Sequence, residues 1–170
     1  MRLLNPLCEI HSSSEGAWAQ RAPEELAAAL VAAGEKRELE SGQRLFSCGE
    51  TAGGVFLILK GRARAVLPGA EGRELMALTA GPGAVLGIPA ALCSKKYQFD
   101  VDALERLELA YLPQEQLNSL LLEHPELGML VMTMMCNEMS ALRQTREHLS
   151  RCQNQQCGLH GYCVQAASQA

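Results

Sequence analysis

Glycine punctuation between residues 41 and 83 constrains this chain more than any other feature. Ser41-Gly42, Cys48-Gly49-Glu50, Lys60-Gly61, Pro68-Gly69, Glu71-Gly72 and Gly81-Pro82-Gly83 break the sequence into short runs. Glycine and proline supply the backbone conformations that turns need and strand interiors avoid. Regular breaks of this kind therefore predict short strands folded into an all-β sandwich or jelly roll. Val55-Phe56-Leu57-Ile58-Leu59 is apolar throughout, as a fully buried strand should be. Arg62-Ala63-Arg64-Ala65-Val66 and the run from Gln98 to Leu104 alternate as half-exposed strands do, and Leu107 to Leu112 completes the set.

Helical signals flank this region. Pro23 followed by Glu24, Glu25 and an alanine-rich run to Ala33 predicts a short helix that Gly34 stops. Pro113 starts a second helix reaching Glu123, and Pro125 starts a third reaching about Ser150. On that last helix Leu127, Leu130, Val131, Met134, Met135, Met139 and Leu142 keep to one broad face. A stripe so long exceeds what one small barrel can cover, so part of it should meet another chain. Leu127, Val131, Met134, Glu138 and Leu142 line the expected seam of a parallel homodimer. Glu138 is its weak point, because a two-fold axis would bring like charges together. The expected fold is mainly β (α+β): a double-stranded β-helix or jelly-roll barrel with one N-terminal helix and two C-terminal helices, the last long. Residues 1–21 read as a flexible leader, 22–150 as the folded domain and 151–170 as a flexible, cysteine-containing tail.

Composition removes several classes of function. A chain of 170 residues supports one well-buried core. Its net charge of −4, with dispersed lysines and arginines, leaves no electrostatic footprint for direct nucleic-acid binding. No segment is long and apolar enough to span a bilayer, and the Leu-rich start is short and interrupted by Pro6, so neither membrane insertion nor export is expected. Seven unevenly spaced cysteines in a chain of this size read as reduced thiols, which places the protein in the cytoplasm. Cys48, Cys93 and Cys136 are expected to be small buried hydrophobes. No nucleophile elbow, Walker loop, His-Glu-x-x-His or carboxylate pair is present, so an enzyme is not expected.

The region with the most chemical information is Gly87-Ile88-Pro89-Ala90-Ala91-Leu92 followed by Lys95-Lys96-Tyr97-Gln98-Phe99. Around it, Leu39 to Phe46 resembles an opening strand pair and Gly49-Glu50 its turn. Val55 to Gly61 resembles a hydrophobic strand ending in glycine. Gly81 to Gly87 resembles the approach to a phosphate-binding cassette, and Glu108 to Pro113 a last strand leading into a helix. Together these resemble the cyclic nucleotide-binding domain of the catabolite-activator and fumarate–nitrate-reduction regulator (Crp/Fnr) superfamily, over roughly Leu26 to Leu149. In members that bind cyclic AMP, the resemblance implies, a Glu after the glycine accepts the ribose hydroxyl and an Arg some nine residues later pairs with the phosphate. Those positions hold Ile88 and Tyr97 here. No realignment repairs the loss, because no glutamate lies between Glu74 and Glu105 and no arginine between Arg73 and Arg106.

Three states of this degenerate cassette stay open. Backbone N–H groups around Ala90 and Ala91 could still face an anion; Ile88, Pro89 and Leu92 could plug the cavity; or an apolar effector could lie there, with Tyr97 and Gln98 supplying polar contacts. The expected ligand-binding residues are thus Gly87, Ile88, Pro89, Ala90, Ala91, Tyr97 and Gln98. In the tail, Cys152, Cys157, His160 and Cys163 offer three thiolates and an imidazole, read as thiols in a mobile tail with a zinc or iron–sulfur site as the alternative. No cofactor is required. The sequence thus describes a non-enzymatic regulatory sensor that binds an unidentified small effector or protein partner and signals through its long helix. The alternatives are a redox or metal sensor of the Fnr kind, a weak cyclic-nucleotide binder and a dimerising scaffold with a plugged pocket. Full regulators of the superfamily carry a winged helix-turn-helix after the long helix, and 151–170 is too short for one, so any effect on transcription would be indirect or the chain is a fragment.

Overall fold

A computed structural model describes residues 21–69 and 74–153. The described chain runs α1 (Glu24–Ala33), β1 (Glu35–Leu39), β2 (Arg44–Phe46), β3 (Gly54–Lys60), β4 (Ala63–Pro68), β5 (Glu74–Ala80), β6 (Val85–Leu86), α2 (Ile88–Leu92), β7 (Asp100–Ala103), β8 (Leu107–Pro113), α3 (Gln114–Glu123) and α4 (Pro125–Gln153). Two antiparallel four-stranded sheets, ordered β1-β8-β3-β6 and β2-β7-β4-β5, face each other. This is the expected β-roll with terminal helices, plus the short α2 inside the cassette.

The strand sequences explain the layering. β3 is buried from Gly54 to Ile58 because it lies in a middle layer. Phe56 and Ile58 enter the core between the sheets, while Val55 and Leu57 enter a second core beneath the helices. β8 divides in the same way, with Leu107 and Leu109 on one side and Ala110 and Leu112 on the other. A strand covered on both faces has no use for polar alternation, hence its continuous apolar run. β4 and β7 cover only one face. Ala63, Ala65, Val101 and Ala103 point inward, while Arg64 and Asp102 point out. There Arg44 forms an ion pair with Asp102 at 2.7 Å, on an exposed surface where such pairs add little stability.

α1 begins behind Pro23, carries Glu24 and Glu25 in its first turn and buries Leu26 and Leu30. Its last turn closes with the Gly34 N–H donating to the Leu30 carbonyl at 2.9 Å. α3 ends at His124, whose Nδ1 lies 3.1 Å from Glu126 at the expected turn between helices. α4 is 29 residues long, about 44 Å at 1.5 Å per residue, and continues beyond Ser150 to Gln153.

The structure corrects the face expected to meet another chain. Leu127, Val131 and Met134 are only 6%, 4% and 5% exposed and pack in the second core with Leu26, Val55 and Leu117. The stripe is amphipathic because it faces the barrel, so these side chains are already used within one chain. The cysteines differ from expectation as well. Cys48, Cys93 and Cys136 are exposed, at a turn, at the C-cap of α2 and on the outer side of α4. Short thiols there have no core to enter. Residues 1–20, including most of the expected leader, lie outside the described residues.

Val131 provides a direct check. Val131→Glu should strand an unpaired charge in the second core and cost about 3–5 kcal/mol. Urea denaturation should show a large drop in midpoint, and a variant as stable as the parent would place Val131 at the surface.

Candidate functional site

The cassette is built on a three-way junction. Gly87 caps α2 with φ of 88°. A Cβ there would stand 2.9 Å from Tyr97 Cε1 and 3.1 Å from the Gly54 carbonyl oxygen. Glycine alone accepts both that backbone conformation and that approach without strain. Gly54 is equally confined, since a Cβ on it would lie 2.2 Å from the Leu112 carbonyl oxygen. Pro89 sits in the first turn of α2, where its missing N–H has no helical partner to lose. The Ala91 N–H donates to the Gly87 carbonyl at 3.0 Å, so it is not free to face an anion, one of the three states the sequence left open.

Tyr97 occupies the position that the resemblance assigns to the phosphate-binding arginine, and it acts as a brace. Its hydroxyl donates to the Gly54 carbonyl at 2.7 Å, and its ring stacks on Phe46 with centroids 3.9 Å apart. Burial holds the phenol above its ordinary pKa. The expected polar contact from Tyr97 to an effector is therefore corrected: the hydroxyl is committed inside the fold, and only the ring is available. Ile88, the other replaced position, turns into the second core beside Val131.

A cavity of about 240 Å³ remains beside this junction. Alanines make the room. Ala65, Ala80 and Ala90 line it where larger side chains would close it, and Phe46, Leu78 and Val101 form the rest of the sheet wall. Interiors are otherwise packed about as densely as organic crystals, so a space of this size stands out from the two cores. Of the residues expected from sequence to contact a ligand, Gly87, Ile88, Pro89, Ala90, Tyr97 and Gln98 line it, whereas Ala91 is fully buried and does not. Ile88 and Pro89 therefore do not plug the cavity, and Leu92, at 36% exposed, turns outward. Exposed Lys95, Lys96 and Gln98 form its rim.

The opposite wall belongs to α4, through Met134, Met135 and Glu138. Sequence reasoning assigned Met134 and Glu138 to an intermolecular seam and so missed that α4 walls the cavity. A signal was present: Glu138 continues the 127, 131, 134 series at helical steps, so it interrupts the buried face of the helix. Desolvation alone pushes its carboxyl up to about 7 from an ordinary 4.5. No hydrogen bond or ion pair holds Glu138 among the described residues. Leu142 lies further along α4. Cys152 falls in its last turn, and Cys157, His160 and Cys163 lie outside the described residues. Among the described residues no cluster of three metal-ligating side chains occurs, and no described helix is long and apolar enough to cross a membrane.

The folded state binds the Glu138 proton more tightly than the unfolded chain does. The stability this adds is full below pH 4.5 and lost as pH rises through about 7. Glu138→Gln removes the titration. Between pH 5 and pH 8 the parent should lose about 1–2 kcal/mol relative to the variant, a figure reduced for the half-exposure of the carboxyl. Thermal melts of both proteins across this range check it; parallel pH profiles would mean that Glu138 is fully solvated.

Comparison with known proteins agrees with this architecture. A sequence profile described as "Cyclic nucleotide-binding domain" matches residues 36–124, just over half of the chain. The catabolite activator protein of Thermus thermophilus superposes with a TM-score of 0.69 at 23% identity, covering 78% of this chain and 62% of that one. Oxidized CprK in complex with o-chlorophenolacetic acid superposes at 0.64 with 12% identity, covering 78% of this chain and 55% of that one. Lysophospholipase NTE1 of Phaeosphaeria nodorum is 28% identical over 105 residues, which is 62% of this chain but only 7% of that protein. The chain belongs to the cyclic nucleotide-binding domain family, with Ile88 and Tyr97 standing where the resemblance puts the ribose and phosphate contacts.

Proposed function

We propose that this domain is a non-enzymatic regulatory sensor that holds a small, mainly apolar effector in its cavity and transmits occupancy through α4. One observation carries the reading: the cavity is open, and α4 itself forms one of its walls through Met134, Met135 and Glu138. A ligand that touches a helix differently in two arrangements shifts the balance between them. The lysophospholipases matched in sequence share this domain over a small part of their length, so their chemistry is not carried over. CprK, with the same fold, is described with a ligand that is not a nucleotide.

Ordinary cyclic nucleotides fit poorly. Losing one partner of a desolvated, charge-assisted contact costs on the order of 2–5 kcal/mol, and about 1.4 kcal/mol is tenfold in affinity. Lys95 and Lys96 are solvated point charges at the rim and do not reproduce a bidentate guanidinium. Cyclic AMP and cyclic GMP at sub-millimolar concentration should therefore leave the melting temperature unchanged. Neutral 3-methylindole should raise it and slow hydrogen exchange over 127–138, and Ala65→Leu, which fills the cavity, should abolish both effects. A saturable rise with either nucleotide, or an Ala65→Leu variant that responds like the parent, defeats the reading.

The partner of α4 is proposed to be a second copy of this chain, through a face other than the one expected from sequence. Met129, Met132 and Met139 are 60%, 58% and 54% exposed, and Cys136 is exposed between them. Steps of three, four and three residues along this row are the heptad spacing of a parallel two-stranded coiled coil, in which a stripe is complementary to itself. Met132→Glu should yield a folded monomer, whereas the parent sediments as a dimer at tens of micromolar. A parent already monomeric there removes the dimer.

A further inference from the structure

We infer that the cavity selects a small apolar molecule bearing a positively charged end, with Glu138 of α4 as its acceptor. This rests on the cavity being an effector site. Glu138 is the single carboxylate among the residues lining it. Its neighbours on α4, Met134 and Met135, are apolar, as are Phe46, Ala65, Leu78 and Val101 on the sheet wall. The remaining titratable groups on the lining are Cys93, Lys95, Lys96 and Tyr97, all from the cassette and the loop after it. Tyr97 has committed its hydroxyl to Gly54. The two lysines are exposed at the rim, where water and salt screen them, and neither forms an ion pair with Glu138 among the described residues.

A partly desolvated carboxylate without a cation is costly, and a cation brought by a ligand supplies a partner. Burial raises the carboxyl of Glu138 to about 7, so it is partly protonated near neutrality. Binding a cation would therefore draw off that proton. The resulting site has the charge logic opposite to that of a phosphate cassette: the arginine position is filled by a neutral brace, and the charge comes from the helix that would respond. At about 240 Å³ the cavity is smaller than the roughly 300–1,000 Å³ of drug-sized sites, so the ligand is small.

The test titrates the full chain with three probes that share one ring: tryptamine, 3-methylindole and indole-3-acetate. At pH 8 tryptamine should bind about tenfold more tightly than 3-methylindole, as one charge-assisted contact allows, and indole-3-acetate should bind weakest. At pH 5.5, where Glu138 carries its proton, the advantage of tryptamine should vanish. Glu138→Gln should remove the advantage of tryptamine over 3-methylindole at pH 8. Equal binding of tryptamine and 3-methylindole to the parent, or an advantage that survives Glu138→Gln, overturns the cation preference and leaves the cavity as an effector site. Tightest binding by indole-3-acetate, lost in a Lys95→Gln, Lys96→Gln double variant, would also overturn it. Failure of all three probes to bind overturns both the preference and the cavity reading.

Discussion

The contact between Tyr97, Gly54 and Gly87 fixes the geometry on which the site depends. It joins the start of β3, the start of α2 and the end of the cassette loop through one hydroxyl–carbonyl hydrogen bond and two positions where a Cβ would collide. From Tyr97 the stacking passes to Phe46, then to Phe56, and through Phe56 to Tyr111, over whose ring Arg37 lies at 3.6 Å. In a chain with three Phe and three Tyr, this row concentrates most of the aromatic packing between the sheets. Aromatic pairs contribute about 0.5–1.5 kcal/mol beyond their area, so the brace is stiff where the cassette meets the roll. A stiff floor and a helical wall thus bound the cavity.

Charge is otherwise kept out of the interior. The described residues include no fully buried polar or charged side chain, and their ion pairs lie on the surface. The stability of the domain thus rests on two apolar cores that share β3 and β8. Glu138 departs from this pattern. A carboxylate on the buried stripe of a helix conflicts with local patterning, and such conflicts persist mainly where function maintains them. The half-buried acid, the alanine-lined space opposite it and the loss of the anion-binding pair converge on the same cavity.

Much of the architecture was legible because it depends on local chemistry. The Gly–Pro breaks set the strand limits, the apolar run at Val55–Leu59 marked the middle layer, and Pro113 and Pro125 marked the last two helices within a residue. The absence of glutamate and arginine between the flanking strands was equally readable, since it needs only composition and order. What Tyr97 does in place of an arginine was not readable, because its hydroxyl bonds a carbonyl 43 residues away. Cys93 and Cys136 were misjudged for a related reason: average burial preferences do not say which side of a helix faces water.

α4 separates the two kinds of information most sharply. Steps of three and four residues define more than one apolar face on this helix, one through Leu127, Val131 and Met134 and another through Met129, Met132 and Met139. The sequence by itself determined that a long amphipathic helix follows a β-roll with a cassette lacking its charged pair, because periodicity and residue identity are properties of the chain. Which face lies on the barrel, and hence that Glu138 borders a cavity, was decided only by tertiary packing. That choice depends on the combined shape of Leu26, Val55, Ile88 and Leu117, which come from four separate elements and meet α4 only once the chain has folded.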